Sequence, residues 1–268
     1  MSPSPVSGRT RQRLRIGNLW IDAVSLSQAI QEIERLVDAR QGGAVYTPNV
    51  DHVVKAESDE AFRRAYDQVN LSLADGMPVV WAARFLGCPL SGRVAGSDLV
   101  IPLIELAARR KWRVYLLGGA PGVAEAAARL LVEHFSVNVV GFDSPLIGPD
   151  GSDATGGSVG RARAARADLI LVALGPPKQE IWIHRATDAL RPAVALGIGA
   201  ALDYLVGRLK RPPQWVSRAG LEWMFRLLQE PRRLWRRYLV EGPRFAPIVL
   251  ATRRSPRSER VREWPRPD

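Results

Sequence analysis

The chain has 268 residues, 46% of them hydrophobic, which suits one large α/β domain with its own core, alone or with an appendage. Its single cysteine, Cys88, excludes an internal disulfide framework and is typical of a reducing compartment. No apolar run approaches the roughly 20 residues of a membrane-spanning helix, and the polar, basic N-terminus does not resemble a signal peptide. We therefore expect a cytoplasmic protein.

The net charge of +11 is concentrated at one end of the sequence. Residues 207–268 hold 16 of the 38 Lys and Arg residues but only 6 of the 27 Asp and Glu residues, a net charge of +10. The first 206 residues therefore carry a net charge of only +1. A basic appendage on a neutral body predicts an anionic partner, either lipid headgroups or nucleic acid.

Strand-like and helix-like segments alternate along the first 206 residues. Short apolar runs predict strands at residues 14–21, 44–46, 69–74, 112–117, 137–142, 167–174 and 194–198. Apolar residues at helical spacing predict helices between them, such as 60–66, 99–109 and 123–135. The alternation predicts a mostly parallel, Rossmann-like sheet with helices on both faces. We expect residues 1–13 to be disordered and residues 14–206 to form this α/β core.

The character of the sequence changes after Gly207. A predicted helix at 217–229 and a second one restarting at Pro231 place arginines beside Trp and Leu, a composition typical of an interfacial membrane helix. A helical pair packed on the body, with a solvated basic face, is the alternative. We predict that 207–250 is a membrane-associating appendage and that 251–268, dominated by Arg, Pro, Ser and Glu, is a disordered basic tail.

Asp75 and Gly76 stand between the predicted strand 69–74 and an apolar, Ala-rich helix. Open α/β sheets bind ligands at the carboxyl ends of their strands, so a carboxylate there can accept a proton from a substrate hydroxyl. Asp75 can equally cap the following helix. The local sequence favours neither interpretation.

A glycine-rich turn, GGAPG from Gly118, follows the strand 112–117 and precedes the helix 123–135. Backbone N–H groups and the positive end of a helix dipole can hold a phosphate there, which makes Gly118 and Gly119 candidate binding residues. The spacing is not G-x-G-x-x-G, and a tight turn without a ligand is equally consistent with it.

Further polar residues follow predicted strand ends and are expected to meet in one crevice. They are Thr47, Asn49, Arg93, Ser97, Asp98, Lys178, Gln179, Glu180 and Asp203. The three histidines lack the spacing of metal ligands and no D-x-D motif is present, so no metal site is predicted. One carboxylate base, a glycine-rich turn and several cations suit a transferase that acts on a nucleotide-activated donor.

Seven blocks of sequence follow one another in a distinctive order. They are TPNVDHVV from Thr47, ADGMPVVWAARFLG from Ala74, GRVAGSD from Gly92, LGGAPGVAE from Leu117, LGPPKQEIWI from Leu174, GIGAALD from Gly197 and LEWMFRLLQEPRRLWRRYL from Leu221. Over roughly residues 14–245 the chain resembles the WecG/TagA/CpsF family of bacterial glycosyltransferases.

This resemblance implies an inverting, metal-independent enzyme without a cofactor, acting in cell-surface polymer biosynthesis. It would move N-acetylmannosamine or a similar hexose from a UDP donor to an undecaprenyl-diphosphate-linked sugar at the inner face of the cytoplasmic membrane. The resemblance also implies that such proteins can self-associate through the surface that the appendage covers.

The resemblance implies roles for individual residues as well. Asp75 would be the general base, with Thr47 and Asn49 in the same pocket. Other residues would contact the donor or the acceptor: Arg93, Lys178 and Gln179 from the core, and Arg226, Arg233 and Arg236 from the appendage.

Parts of the sequence are compatible with two other functions. The LGGAPG turn and the alternating strands are compatible with an NAD-dependent oxidoreductase, but the G-x-G-x-x-G spacing and an obvious ribose-binding acid are missing. The basic C-terminus is compatible with a non-enzymatic nucleic-acid-binding module. Its interleaved Trp and Leu residues favour lipid over a phosphate backbone, so no nucleic-acid partner is predicted.

Overall fold

A computed structural model describes residues 11–264, apart from the side chains of Arg11, Gln214, Arg218 and Trp264. Its strands are β1 (Arg11–Ile16), β2 (Leu19–Asp22), β3 (Gly43–Tyr46), β4 (Leu71–Ser72), β5 (Arg113–Gly118), β6 (Asn138–Asp143), β7 (Leu169–Ala173), β8 (Val194–Gly197) and β9 (Val261–Trp264). Strands β3 to β8 form one sheet in the order β4-β3-β8-β7-β5-β6, and every pairing in it is parallel. The predicted α/β class and parallel sheet are confirmed.

The helices of the core connect these strands. They are α1 (Leu26–Asp38), α2 (Val50–Ser58), α3 (Glu60–Asp67), α4 (Met77–Phe85), α5 (Gly96–Arg110), α6 (Val123–Phe135), α7 (Ser158–Ala164), α8 (Lys178–Leu190) and α9 (Ala201–Leu205). Neighbouring strand residues point to opposite faces of the sheet. Tyr46 and Leu117 therefore pack in one apolar layer with α2, α3, α4 and α8, whereas Val45 and Leu116 pack in the other with α1, α5, α6 and α9.

The last part of the chain, residues 207–264, is called the C-terminal segment below. Its helices are α10 (Gln214–Arg218), α11 (Glu222–Gln229), α12 (Pro231–Trp235), α13 (Phe245–Arg254) and α14 (Arg257–Arg260). A π turn (Arg236–Glu241) and a 3-10 turn (Gly242–Arg244) join α12 to α13 without interruption, which confirms a helical appendage. Pro243 lacks an N–H and its ring crowds the preceding turn, which accounts for the departure from α-helical hydrogen bonding. The segment packs on α2 and β1.

The prediction of a disordered tail at 251–268 is wrong for residues 251–264, which the structure describes. Helix α13 extends to Arg254, and β9 pairs antiparallel with β1, with Val261 opposite Leu14. The Arg262 guanidinium lies 4.6 Å from the ring centre of Trp20. Composition alone could not reveal these partners, because they lie almost a whole chain length away. Residues 265–268 lie outside the described range.

Smaller predictions near the N-terminus also need correction. Residues 11–13 belong to β1, while residues 1–10 of the predicted disordered stretch lie outside the described range. The predicted strand 14–21 is a hairpin instead, because Gly17 turns the chain with φ +57° between β1 and β2. Together with β9, the hairpin forms a second, three-stranded sheet in the order β2-β1-β9.

Two predicted elements further along are shorter than expected. Only Leu71 and Ser72 of the predicted strand 69–74 pair with β3. The predicted helix 217–229 is broken into α10 and α11 at Gly220, whose φ is +71°. Within the described residues, no helix combines the length and the apolar character needed to cross a bilayer.

Candidate active site

A cleft of about 420 Å³, the large cleft, runs along the carboxyl ends of the parallel strands. The loops after all six strands contribute to it: Thr47 follows β3, Asp75 follows β4, Gly119 follows β5, Leu146 follows β6, Lys178 follows β7 and Gly199 follows β8. A parallel sheet collects its strand ends at one edge, so residues as far apart in sequence as Thr47 and Gly199 meet here.

The C-terminal segment supplies a further wall of the large cleft. Glu222, Arg226, Arg233 and Arg237 line it from that side. Basic side chains outnumber acidic ones around the cleft. The basic residues are Lys178, Arg208, Arg226, Arg233 and Arg237, and the acidic ones are Asp75, Asp203 and Glu222. An excess of guanidinium groups suits a ligand that carries phosphate groups.

A second cleft of about 260 Å³, the small cleft, adjoins the large one. Five residues line both: Asn49, Asp75, Glu222, Arg226 and Arg237. The rest of the small cleft is mainly apolar, with walls from Val50, Met77, Pro78, Trp223, Tyr238 and Phe245. A cationic cleft and an apolar cleft therefore meet at Asp75.

The backbone holds Asp75 at this junction. Its N–H donates to the carbonyl of Pro48 at 2.9 Å, which ties the loop after β4 to the loop after β3. Gly76, with φ +104°, turns the chain into α4. Among the described residues, no N–H of α4 donates to the Asp75 carboxylate. Asp75 therefore faces the two clefts and does not cap α4.

The surroundings of Asp75 make it more basic than an ordinary carboxylate. Burial, and after it the Glu222 carboxylate, together raise the pKa of Asp75 to about 7, against the opposing effect of Arg93 and Arg226. The side chain keeps 27% of its exposure, so it stays accessible from the clefts. A carboxylate with a pKa near neutrality is well matched to accept a proton from a hydroxyl.

A buried polar network supports the floor of the large cleft. Glu180 is fully buried, and its Oε1 accepts a hydrogen bond from Gln179 Nε2 at 2.6 Å and lies 3.2 Å from His52 Nε2. His52 Nδ1 is 2.9 Å from Asn49 Oδ1, and Gln179 Oε1 accepts from the Gly199 N–H at 3.1 Å. The network fixes the loops after β3, β7 and β8 relative to one another.

Comparison with known proteins identifies the family. The Glycosyl transferase WecG/TagA/CpsF family matches residues 14–259. The chain belongs to this family. It is therefore a glycosyltransferase, as the seven sequence blocks predict, and neither an NAD-dependent oxidoreductase nor a non-enzymatic nucleic-acid-binding module.

Two relatives with the same name are similar over most of their length. Both are called N-acetylglucosaminyldiphosphoundecaprenol N-acetyl-beta-D-mannosaminyltransferase. The protein from Bacillus spizizenii is 32% identical over 220 residues, which cover 82% of this chain and 83% of the relative. The protein from Bacillus subtilis is 30% identical over 228 residues, which cover 84% and 86%.

The structure of this WecG/TagA/CpsF glycosyltransferase brings most predicted site residues into the large cleft. Those that line it are Thr47, Asn49, Asp75, Ser97, Gly119, Lys178, Gln179, Asp203, Arg226 and Arg233. Arg93 and Asp98 do not line it, and a 2.6 Å ion pair joins them. Glu180 lies beneath it, in the buried network, and does not line the cleft.

In the glycine-rich turn, the backbone at Gly118 and Gly119 is packed against the end of β7, which does not fit the predicted phosphate-binding role. The Gly119 N–H donates to the Ala173 carbonyl at 2.8 Å and so is already occupied. A Cβ on Gly118 would come within 2.6 Å of the same carbonyl oxygen, and Gly118 does not line the cleft. Gly118 is therefore required for close packing of β5 against the end of β7 rather than for ligand contact.

The structure does not bring Arg236 to either cleft, and its predicted contact with the donor or the lipid diphosphate stays a prediction. Its side chain is 76% exposed, lines neither cleft, and has Glu241 at 3.9 Å as an ion-pair partner. Arg237 faces the clefts instead, with its side chain only 16% exposed. The π turn begins at Arg236 and adds a residue to the helical turn, so regular helical spacing from Arg226 and Arg233 does not apply there.

Glu222, Tyr204, Arg208 and Arg237 line the large cleft but were missed from sequence. Glu222 had a usable signal, because it precedes Arg226 by four residues and so shares a helix face with it. Arg208 follows Asp203 closely and pairs with it at 2.7 Å. Tyr204 directly follows Asp203 in α9. Arg237 had no local signal, since its position depends on how the C-terminal segment packs.

Proposed function

We propose that the protein transfers N-acetylmannosamine, or a similar hexose, from a UDP donor to the sugar of an undecaprenyl-diphosphate-linked acceptor. The observation that carries the proposal is the position of Asp75, where a cationic cleft and an apolar cleft meet. The identity of the sugar and the acceptor is taken from the names of the two Bacillus relatives. The product would enter a cell-surface polymer.

The donor would occupy the large cleft. Lys178 is the first residue of α8, where its charge and the N-terminal end of the helix dipole act together. Arg226 and Arg233 approach the same space from the C-terminal segment. These cations would stabilise the negative charge that develops on the diphosphate as UDP leaves. They would do so without a metal ion.

The acceptor sugar would lie at the small cleft, with its hydroxyl directed toward Asp75. The hydroxyl proton passes to the Asp75 carboxylate as the hydroxyl oxygen forms a bond to the anomeric carbon. The bond from that carbon to the UDP oxygen breaks at the same time. Because nucleophile and leaving group occupy different clefts on either side of Asp75, this single displacement inverts the anomeric configuration. Thr47 and Asn49, beside Asp75, would orient the two sugars.

The C-terminal segment would place the enzyme at the inner face of the cytoplasmic membrane. Large apolar side chains are exposed along it: Trp215, Leu228, Trp235, Leu239 and Val240. Exposed arginines such as Arg232 accompany them. This combination suits peripheral binding to an anionic lipid surface, where the acceptor's lipid resides. Self-association of the protein stays a prediction.

A transfer assay tests the proposal. The full-length protein would be incubated in EDTA with UDP-N-acetylmannosamine, UDP-N-acetylglucosamine or UDP-glucose and a short-chain polyprenyl-diphosphate-GlcNAc analogue. We expect a disaccharide product with the UDP-N-acetylmannosamine donor, an inverted anomeric configuration by NMR, and no gain from added Mg²⁺. Absence of product with every donor would refute the proposal. A product that requires Mg²⁺, or that retains configuration, would refute its mechanism.

A further inference from the structure

One arginine connects the proposed base to the C-terminal segment. Arg93 Nη1 lies 2.9 Å from Glu222 Oε2 but 4.0 Å from Asp75 Oδ1, and Arg93 Nη2 lies 2.6 Å from Asp98 Oδ2. The shortest contacts of Arg93 are therefore with Asp98 and Glu222. Asp75, although next to this guanidinium, is the most distant of its three carboxylate neighbours.

Glu222 reaches this position from outside the α/β core. It is the first residue of α11, and the Ser217 hydroxyl donates to its Oε2 at 3.4 Å. Its side chain lines both clefts together with Asp75. The C-terminal segment thus brings a second carboxylate, that of Glu222, beside Asp75. The Glu222 carboxylate pairs with Arg93, the same guanidinium that lies 4.0 Å from Asp75.

We propose that Glu222 is a positioning residue that sets the proton affinity of Asp75 by holding Arg93 away from it. In this arrangement the docked C-terminal segment makes Asp75 a stronger base. The inference rests on the proposed function, in which Asp75 removes the proton of the acceptor hydroxyl.

The other charged and titratable groups around Asp75 define what Glu222 adds. Arg93, Asp98, Tyr204 and His52 approach from the core, and Glu222, Arg226, Arg237 and Tyr238 approach from the C-terminal segment. Apart from burial, Glu222 has the largest effect on the pKa of Asp75, and Asp98 acts in the same direction. Arg93 and Arg226 lower this pKa. Removing the Glu222 charge would therefore lower the pKa of Asp75, because the effect of Arg93 and Arg226 would lose its main opposing charge.

The loss of this charge has two opposite kinetic effects. Without Glu222, the Arg93 guanidinium can close on Asp75, and a direct ion pair favours the ionised carboxylate. Asp75 would then be ready to accept a proton at a lower pH. It would also be a weaker base, so proton removal from the acceptor would be slower at every pH where Asp75 is ionised. A residue with a purely structural role would not move the pH profile in this way.

The test compares pH–rate profiles of the full-length protein with Glu222→Gln, Glu222→Asp and Glu241→Gln. Glu241→Gln is the matched control, because Glu241 belongs to the same segment, has similar exposure (31% against 25%) and lines neither cleft. In Glu222→Gln we expect the acidic limb of kcat/KM to move down by about one pH unit or more, with a several-fold lower plateau. Glu222→Asp and Glu241→Gln should keep the wild-type limb.

The outcomes separate this inference from the proposed function. A wild-type acidic limb in folded Glu222→Gln would overturn the role of Glu222 and leave Asp75 as the base. Normal transfer by Asp75→Asn would instead overturn the proposed function itself. Should Glu222→Gln not fold, Glu222→Asp keeps the test decisive: because it retains the charge, a limb displaced by a full pH unit would contradict the inference.

Discussion

Arg237 joins the C-terminal segment to the start of α2. Its Nη2 lies 3.2 Å from Asp51 Oδ2 and 3.4 Å from Asn49 Oδ1. Asp51 is buried, and Asn49 caps α2 while lining both clefts. One guanidinium therefore fixes both the cap of a core helix and the wall that the C-terminal segment contributes to the site.

The contrast between neighbouring arginines gives a first prediction. Arg237→Ala should lower kcat/KM at least tenfold, and it should destabilise the fold by about 3 kcal/mol because it removes one partner of a buried ion pair. Arg236→Ala, at a mainly exposed position, should change the free energy of unfolding by less than about 0.5 kcal/mol and leave transfer to a soluble acceptor analogue unchanged. Urea unfolding and steady-state kinetics measure both. Equal losses in the two variants would refute the assignment of Arg237 to the site.

A buried ion pair beside the sheet gives a second prediction. Asp22 accepts from Arg13 Nε at 2.7 Å and from the Ser72 N–H at 2.7 Å, and both side chains are buried. Asp22→Ala should lower the free energy of unfolding by about 3–5 kcal/mol, because it removes a carboxylate that compensates a buried guanidinium. Glu60→Ala, which breaks the exposed ion pair with Arg64, should cost less than about 1 kcal/mol. Similar costs for the two changes would contradict the burial of Asp22.

The C-terminal strand gives a third prediction. Strand β9 pairs with β1, and Arg260 Nη1 donates to the Leu86 carbonyl at the end of α4, so the end of the chain is anchored on the core. Deleting residues 256–268 should lower Tm by several degrees and reduce kcat/KM, since the C-terminal segment would lose the contacts of β9 with β1 and of Arg260 with Leu86. Differential scanning fluorimetry and the transfer assay measure these effects. An unchanged Tm and rate would show that β9 does not anchor the segment.

The raised pKa of Asp75 gives a fourth prediction, on stability. A carboxyl group with a pKa of about 7 in the folded protein and about 3.8 when unfolded destabilises the fold increasingly as pH rises between these values. Asp75→Asn should therefore stabilise the protein, with a gain that grows from pH 4 to pH 7 and levels off above. Thermal unfolding across this range measures the gain. A gain independent of pH would contradict the raised pKa.

Much of the fold could be predicted from local sequence. The strands of the sheet are short apolar runs such as 167–174, and a parallel sheet must bring their carboxyl ends together. The sequence alone therefore assigns Thr47, Asp75 and Lys178 to one crevice.

The remaining features depend on packing between distant parts of the chain. The position of Glu222 beside Arg93, and the choice of Arg237 over Arg236, follow from how the C-terminal segment docks and from the π turn within it. Strand β9 forms only because the edge of β1 is available to it. None of these partners lies near in sequence, so periodicity and composition carry no signal for them.

The most direct test of the account is the rate of sugar transfer by Asp75→Asn. Single-turnover transfer from UDP-N-acetylmannosamine to the polyprenyl-diphosphate-GlcNAc analogue would be measured beside UDP binding by calorimetry. We predict a rate lower by about a hundredfold to ten-thousandfold, with UDP affinity close to that of the wild type because the cationic cleft is unchanged. Transfer at the wild-type rate by a folded, UDP-binding Asp75→Asn variant would contradict the assignment of Asp75 as the base.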